Sequence, residues 1–334
     1  MNQKTKKQLI IGFFIGVLLF LLWEIYIPYS FSLKPTLVYI VQKGSGYKDI
    51  AEDLQKQGII KNSLFFKSYV LFSGKHSRLQ AGSYNLSSSM SIAQIVKKFV
   101  SGDIIKNNIT IIEGWDLQDI VKYFEEKKLF LKQDFLNLAS QDFSSKYDFL
   151  KDKPQKLSLE GYIFPDTYEI SLGQKPEELL KNILLNFDKK LTPDLRKEIA
   201  GQHKSIFQII TMASIIEKEV KTSSDKKIVS GILWKRIENN IPLQVDSTIN
   251  YITGKNDARV KIKDTKINSP YNTYKYLALP LGPICNPGME SILAAIYPKD
   301  SPYWYYLSAD KTGTTIFSKT LEEHNQAVIK YLRP

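Results

Sequence analysis

One helix-forming segment carries carboxylates in surroundings that could support acid–base chemistry. Ser205–Val220 is apolar on nearly every side, which is typical of a helix buried in a core. At about 100° per residue, Glu217 shares a stripe with aliphatic residues, whereas Glu219 projects to the opposite side. A carboxyl group among aliphatic side chains tends to stay protonated, because burial disfavours its charged form. Such an acid can give a proton to a glycosidic oxygen as the bond breaks.

The same pattern has a simpler interpretation. Glu217 lies near the predicted end of its helix, where a glutamate can point into solvent or pair with Lys221 four residues later. This helix alone leaves both interpretations open. A catalytic interpretation therefore needs other polar groups that would complete a site.

A second set of candidates lies in the segment Leu159–Tyr168. Its glycine and proline predict a loop, and its aromatic residues are of the type that stacks on sugar rings. Glu160 and Asp166 could orient a substrate or tune Glu217. The alternative is a tight turn packed by aromatic rings, in which Asp166 caps the backbone. The segment by itself does not separate the two.

Three later segments offer further polar groups. Two of them are dense in proline, glycine and asparagine, which predicts rigid turns that could shape a cleft and offer hydrogen bonds to sugar hydroxyls and acetamides. Many such turns only link elements, so a purely structural role stays open. The candidate substrate-binding residues in these segments are Gln244, Asp246, Ser247, Tyr271, Asn272 and Asn286.

Metal and disulfide chemistry find little support in the sequence. Cys285 is the only cysteine, which excludes an intramolecular disulfide and a cysteine-rich zinc site. The three histidines, His76, His203 and His324, lie far apart and form no His-Glu-x-x-His motif. We therefore predict a site without a metal or another cofactor.

The N-terminal segment has the features of a membrane anchor. Gln8–Ile27 supplies nearly all of the roughly 20 mainly apolar residues that a spanning helix needs. The lysines before it predict a cytoplasmic N-terminus, and Trp23, Tyr26 and Tyr29 lie where an interfacial aromatic belt would be. No small-x-small cleavage site follows, which disfavours a signal peptide, and the basic flank disfavours a buried core helix. The chain after Pro28 is then extracytoplasmic.

The formal net charge of +12 favours anionic partners. Phospholipid headgroups, nucleic acid and the acidic peptides of a cell wall all fit, and charge alone does not choose among them. A nucleic-acid-binding protein would have to lie in the cytoplasm, which the predicted anchor argues against. We therefore expect no nucleic-acid partner.

After the anchor, short predicted strands alternate with short helices, which indicates an α+β fold. The predicted elements before residue 105 are strands at Thr36–Val41 and Ser83–Leu86, a helix from Tyr47 to Gly58, and a helix after a capping box of Ser91 and Gln94. Such small strand–helix–helix modules resemble LysM folds, which bind glycans containing N-acetylglucosamine; a spacer is the alternative. We predict a basic tail and transmembrane anchor at 1–30, a LysM-like module at 31–105 and a larger mixed α+β catalytic domain at 106–334.

Six segments in a fixed order resemble the endolytic murein transglycosylase family, also called YceG-like. They are EGYIFPDTY (160–168), ASIIEKEV (213–220), LQVDST (243–248), SPYNTY (269–274), GPICNPG (282–288) and FSKTLEEHN (317–325). Together with the anchor and the LysM-like module, the resemblance covers nearly the whole chain. The family usually has a histidine two residues before the phenylalanine of FSKT, where this chain has Thr315, so a role for that histidine does not transfer.

The resemblance implies a lytic reaction on peptidoglycan, with Glu217, the first glutamate of the Glu-Lys-Glu triplet, as the catalytic acid. The acid would protonate the oxygen between N-acetylmuramic acid and N-acetylglucosamine. The muramic 6-hydroxyl would attack its own anomeric carbon and leave a 1,6-anhydro end. Cuts within nascent strands would terminate their elongation, and peptidoglycan synthases are candidate partners. A non-catalytic glycan-binding scaffold of the cell-wall machinery is the alternative.

Overall fold

The computed structural model describes residues 3–31, 35–171, 173–255, 260–309 and 314–331 of the 334-residue chain. The described residues form two units. The first runs to Asn108 and includes the short segment Glu169–Gln174, and the second comprises Ile109–Tyr168 and the residues from Lys175 onward. The sequence did not predict this return of the chain into the first unit, and the three-part domain division stays a prediction.

The first unit combines helices and strands, in agreement with the predicted α+β class. Its elements are α1 (Gln3–Tyr26), β1 (Leu37–Val41), α2 (Tyr47–Lys56), α3 (Ser63–Phe72), β2 (Gly82–Leu86) and α4 (Ile92–Ser101). β1 and β2 pair antiparallel with Tyr39 opposite Tyr84, and both side chains are buried in the core of the unit. The likeness of this arrangement to a LysM fold stays a prediction.

Among the described helices, α1 is the one that is long and apolar enough to cross a membrane. Its 24 residues extend about 36 Å at 1.5 Å per residue, which is enough for a hydrocarbon core of about 30 Å. No described residue of α1 is buried. The helix is therefore compatible with the predicted single-pass anchor.

The predicted capping box at the start of α4 is confirmed. Ser91 Oγ accepts a hydrogen bond from the Gln94 amide at 3.3 Å, and Gln94 Oε1 accepts one from the Ser91 amide at 2.8 Å. The helix ends at Gly102, whose φ of 67° lies in the left-handed region that favours glycine. These two signals fix the helix so that Ile95 and Phe99 fill the core.

Helices predominate in the second unit. Its elements are α5 (Leu117–Glu126), α6 (Lys132–Ala139), α7 (Pro176–Lys190), α8 (Pro193–Gly201), α9 (Ile206–Glu219), α10 (Ser223–Glu238), α11 (Asp246–Thr253), α12 (Met289–Ile296), β5 (Tyr305–Ser308), β6 (Thr315–Ser318) and α13 (Leu321–Tyr331). β5 and β6 form an antiparallel hairpin. Two further strands, β3 (Lys106–Thr110) and β4 (Thr167–Ser171), pair with each other where the chain passes between the units.

The core helix of the second unit is α9. It begins at a capping box of Ser205 and Gln208, and every residue of Ile209–Ile216 is buried. It packs against α8, α10, α11 and α12. Glu217 and Glu219 lie in its last turn, where the helix emerges from this core. A rigid, buried helix thus holds both carboxylates in place.

Candidate functional site

Glu217 and Glu219 meet different surroundings, because they project from opposite sides of α9. The Glu217 carboxylate accepts hydrogen bonds from Lys226 Nζ at 3.2 Å, the Gly288 amide at 2.9 Å and Ser291 Oγ at 2.6 Å. These three donors replace the purely aliphatic surroundings that the sequence pattern predicted. The alternative pairing with Lys221 is not the one observed, since the ion pair forms with Lys226.

The contacts of Glu217 bind α9 to two neighbouring helices. Lys226 belongs to α10, while Gly288 and Ser291 lie at the start of α12, where a carboxylate is favoured by the unpaired amides and the helix dipole. The side chains of Glu217 and Lys226 are only 9% and 4% exposed. Glu113 packs closely against Gly288, so that a side chain at position 288 would collide with the Glu113 carboxyl group. Burial, and secondly the charge of Glu217, raise the pKa of Glu113.

Glu219 lines a cavity. Its carboxylate accepts hydrogen bonds from the Tyr306 hydroxyl at 3.2 Å and the Ser247 amide at 3.4 Å. Burial raises the pKa of Glu219; its contacts with Ser247 oppose this effect, and the charge of Asp246 adds to it. Its carboxyl group therefore keeps its proton to a higher pH than an ordinary glutamate.

We call this space the Glu219 cavity; it has a volume of about 520 Å³. Three of the predicted substrate-binding residues line it. They are Gln244, Asp246 and Ser247. Gln244 has a φ of 53°, and such strained backbone often persists at functional sites. The Tyr274 hydroxyl donates a hydrogen bond to Asp246 Oδ1.

The lining of the Glu219 cavity also contains residues that were not predicted for the site. Arg236 donates to the carbonyls of Leu243 at 2.9 Å and Trp304 at 3.0 Å, and so joins the segment before α11 to the segment before β5. His324 stacks on Tyr305 at 5.3 Å, and its Nδ1 has no hydrogen-bond partner among the described residues. Burial, and secondly the charge of Arg236, lower the pKa of His324, so its imidazole is neutral near pH 7.

A second cavity adjoins the first. It has a volume of about 820 Å³, and we call it the Glu160 cavity. It includes Glu160 and Tyr271, both predicted for the site, and Tyr251, whose ring lies 5.0 Å from that of Tyr271. The two cavities share the lining residues Lys218, Ser247 and Asn250. We call the two adjoining cavities the groove; Glu219 lines one of them, and the rings of Tyr251 and Tyr271 line the other.

Glu160 is a buried member of the groove wall. Its Oε2 accepts a hydrogen bond from the Leu117 amide at 3.0 Å, and its Oε1 accepts one from Asn286 Nδ2 at 3.0 Å. Burial raises the pKa of Glu160 to about 8. Asn286 is fully buried and also bonds to the Ile163 amide and the Trp115 carbonyl. It therefore holds three segments together and does not line either cavity.

Two other predicted residues also bond to their own loops. Asn272 is 1% exposed, and its amide group bonds to the Thr265 and Ile267 carbonyls and to the Tyr274 amide. Asp166 accepts from the Thr167 amide at 2.8 Å, as in the backbone-capping alternative, and from Asn186 Nδ2 at 3.0 Å. Despite partial burial, these bonds hold the pKa of Asp166 below its ordinary value. Neither residue is among those lining the groove.

The described residues contain no cluster of three or more histidine, cysteine or acidic side chains that could hold a metal ion. Cys285 is fully buried, and its Sγ donates to the Ser214 carbonyl at 3.2 Å. Burial raises the pKa of the Cys285 thiol well above its ordinary value. Such a thiol packs as a small apolar group.

Comparison with known proteins places these features in a family context. The sequence profile of the YceG-like family matches residues 39–330. An endolytic murein transglycosylase of Bacillus subtilis is 34% identical over 316 residues, covering 91% of this chain and 87% of the relative. One of Streptococcus pneumoniae serotype 2 is 28% identical over 333 residues; the match covers 92% of this chain and 60% of that relative. The crystal structure of a yceG-like protein of Listeria monocytogenes matches with a TM-score of 0.60 and 34% identity, covering 88% of this chain and 99% of that one.

Proposed function

Because the chain belongs to the YceG-like family, we propose that it is an endolytic murein transglycosylase, an enzyme that cleaves the glycan strands of peptidoglycan. The names of its relatives support transglycosylase activity on murein. The finer parts of the proposal are cleavage between N-acetylmuramic acid and N-acetylglucosamine, 1,6-anhydro products and termination of strand elongation. The observation that carries it is a carboxyl group of raised pKa, that of Glu219, in the wall of a polar groove.

The surroundings of the two glutamates favour Glu219 as the acid. Both carboxylate oxygens of Glu217 are already occupied, Oε1 by Lys226 and Oε2 by Gly288 and Ser291. An acid must approach the leaving oxygen within hydrogen-bond distance, and Glu219 faces a cavity where a sugar could lie. Glu217, the acid expected from the sequence, stays the alternative.

The reaction needs only one carboxyl group. Protonated Glu219 gives its proton to the bridging oxygen as the bond from that oxygen to the muramic anomeric carbon breaks. The muramic 6-hydroxyl oxygen then bonds to the same carbon, and the Glu219 carboxylate takes the hydroxyl proton. Glu219 thus regains the proton that it gave away, and no water molecule takes part. The nucleophile is part of the substrate and already held close, so no second carboxylate is required, unlike in most glycoside hydrolases.

The residues around Glu219 support this cycle. The Tyr306 hydroxyl and the Ser247 amide fix the carboxyl group through hydrogen bonds and stabilise its charged form after the first proton transfer. Asp246, held by Tyr274, provides an acceptor that can orient sugar hydroxyls in the same cavity. His324 lines the same cavity with a neutral imidazole.

Digestion of purified peptidoglycan tests the function and the acid together. We expect the wild-type protein to release fragments with anhydro-muramic ends, identified by mass spectrometry. Replacement of a general acid typically costs about 10²–10⁴-fold in rate, so we expect that loss for Glu219→Gln at an unchanged melting temperature. For Glu217→Gln we expect a lower melting temperature with activity retained in the folded fraction. Reducing ends would mean hydrolysis, and loss only in Glu217→Gln would return the acid to that residue.

A glycan-binding scaffold without catalysis is the second candidate, favoured by the small α+β first unit that resembled LysM modules in sequence. It predicts that neither glutamate variant changes the digest, while both still bind peptidoglycan in a sedimentation assay. Peptidoglycan synthases stay candidate partners on the resemblance alone.

We also propose that α1 spans the cytoplasmic membrane with its N-terminus in the cytoplasm and the rest of the chain outside. The apolar length of α1 and the lysines at its start support this orientation. A C-terminal alkaline phosphatase fusion, which works only outside the cytoplasm, should be active. An active fusion would also exclude a cytoplasmic nucleic-acid-binding role.

A further inference from the structure

We propose that the start of α3 inserts Leu64 and Phe65 into the lipid bilayer next to α1. The inference rests on the proposal that α1 spans a membrane, and it adds a second membrane contact made by the folded first unit. Lipid chains cover this surface. They belong to the membrane leaflet in which the C-terminal end of α1 lies.

The composition of α3 differs between its two sides. Phe66 and Val70 are fully buried in the core of the first unit. On the other side Leu64, Leu71 and Phe72 are 60%, 51% and 88% exposed. At about 100° per residue, these three side chains and Phe65 fall within an arc of about 120°, which also contains the half-buried Ser68. A mainly apolar exposed surface of this kind is typical of an interaction site.

Ring contacts between α1 and α3 give the depth of this surface. The ring centroid of Phe20 lies 5.8 Å from that of Phe65, and Tyr26 lies 6.2 Å from Tyr69. Phe20 precedes Tyr26 by six residues, or about 9 Å along a helix. Tyr26 is at the end of α1, where an aromatic side chain favours the interface. Phe20 is therefore within the hydrocarbon, and the ring of Phe65, which contacts it, reaches that level.

Leu64 lies at the same depth in the membrane as Phe65, because it precedes Phe65 at the start of α3. A surface at that depth, beside a spanning helix, has lipid chains as its neighbours. The exposed Leu64 side chain is then favoured there, whereas it would be unfavourable in water. Leu71 and Phe72 follow Tyr69 and lie at the level of the interface.

Charge pairing in the same region fits a bilayer boundary. Glu24 is a carboxylate in the last two turns of α1, and its side chain is only 9% exposed. It pairs at 3.0 Å with Lys61, just before α3, whose side chain is 63% exposed. A charge near the membrane is tolerated when a partner compensates it, and a lysine can reach from there to lipid phosphates.

Spin labels on the full-length chain can test the depth of α3. Cys285 is fully buried, so an introduced surface cysteine is the reactive one. Three variants are reconstituted separately in phosphatidylethanolamine–phosphatidylglycerol vesicles: Leu64→Cys on α3, Leu18→Cys on α1 as the membrane reference and Lys48→Cys on α2 as the aqueous reference. Collision with oxygen, which concentrates in hydrocarbon, is compared with collision with a water-soluble nickel chelate.

We expect the oxygen-to-nickel ratio at position 64 to resemble that at position 18 and to exceed that at position 48 several-fold. A ratio at 64 equal to that at 48, with 18 reading as hydrocarbon, overturns the inference but leaves the anchor intact. A water-like ratio at 18 overturns the anchor as well. Dipolar broadening between labels at 64, with low collision rates for both reagents, would show a second copy covering α3 and would also overturn the lipid contact.

Discussion

At the scale of single residues, two glutamates separated by one position have different surroundings, and we propose that they have different tasks. Glu217 accepts three hydrogen bonds, which favours a structural role. Glu219 has two weaker hydrogen bonds and an adjoining cavity. Because the Glu219 carboxyl group accepts only these hydrogen bonds, it can gain and lose a proton during a reaction. Such a pair of unlike environments is the usual way in which proteins separate a reactive acid from a structural one.

The Tyr306 hydroxyl should set the pH range in which Glu219 acts. The raised pKa of Glu219 means that an acid-dependent rate persists above the ordinary glutamate pKa and falls as pH rises through the raised value. Tyr306→Phe removes a hydrogen bond that favours the charged form, so the pKa rises further and the alkaline limb of kcat/KM moves to higher pH. A hydrogen bond to a charged group contributes about 1.5–3 kcal/mol, which corresponds to a shift of about one to two pH units.

The matched control for this prediction is Tyr303→Phe. Tyr303 precedes β5, stacks on Phe317 at 5.4 Å and is not among the residues lining the groove. Its pH profile should coincide with that of the wild type. An unchanged profile in Tyr306→Phe, or an equal shift in both variants, would contradict the assignment of Glu219.

At the scale of secondary-structure elements, the Glu217–Lys226 pair fastens α10 and the start of α12 to the end of α9. Removing one member leaves the other buried and unpaired, which typically costs about 3–5 kcal/mol. We therefore expect Lys226→Met to lower the free energy of unfolding by this amount in chemical denaturation. Lys227→Met changes an exposed neighbour and should stay within about 0.5 kcal/mol of wild type. A loss no larger than that of the control would show that the pair is not structural.

The sequence predicted α9 well because its signals are local. The apolar run is read within one segment, and the helical period placed Glu217 and Glu219 on opposite sides. The partners of these carboxylates were not predictable in this way. Gly288 is 71 residues from Glu217, and Tyr306 is 87 residues from Glu219.

The structural role of the two asparagines also could not be predicted from the sequence. Asn272 and Asn286 were expected to bind substrate because they lie in loops rich in proline and glycine. Such loops lack the regular hydrogen bonds of a helix or sheet, so their backbone groups need side-chain partners. Both asparagines satisfy backbone groups. His324 lies in a recognised motif, FSKTLEEHN, but only the fold shows that it reaches the Glu219 cavity.

At the scale of the second unit, the groove suits a polymer better than a small ligand. The Glu219 and Glu160 cavities adjoin through Lys218, Ser247 and Asn250, so a chain of sugars could extend from one to the other. An enzyme that cuts within a strand has to bind sugars on both sides of the scissile bond. The Glu160 cavity supplies such a region at a distance from the acid, and its tyrosine rings are surfaces on which sugars can stack.

Tyr271 should therefore contribute to substrate binding and not to the chemical step. Tyr271→Ala removes one of the two rings in the Glu160 cavity, and it leaves the contacts of Glu219 in place. We expect KM for long glycan strands to rise several-fold with kcat nearly unchanged, because the lost contact is the same in the ground and transition states. Strands too short to reach the Glu160 cavity should be cleaved equally by the variant and the wild type. Tyr297→Ala, at a 45% exposed tyrosine outside the groove lining, serves as the control for both substrates. A fall in kcat with KM constant would instead mean that Tyr271 acts on the reacting sugar, and that the groove binds its polymer in a different register.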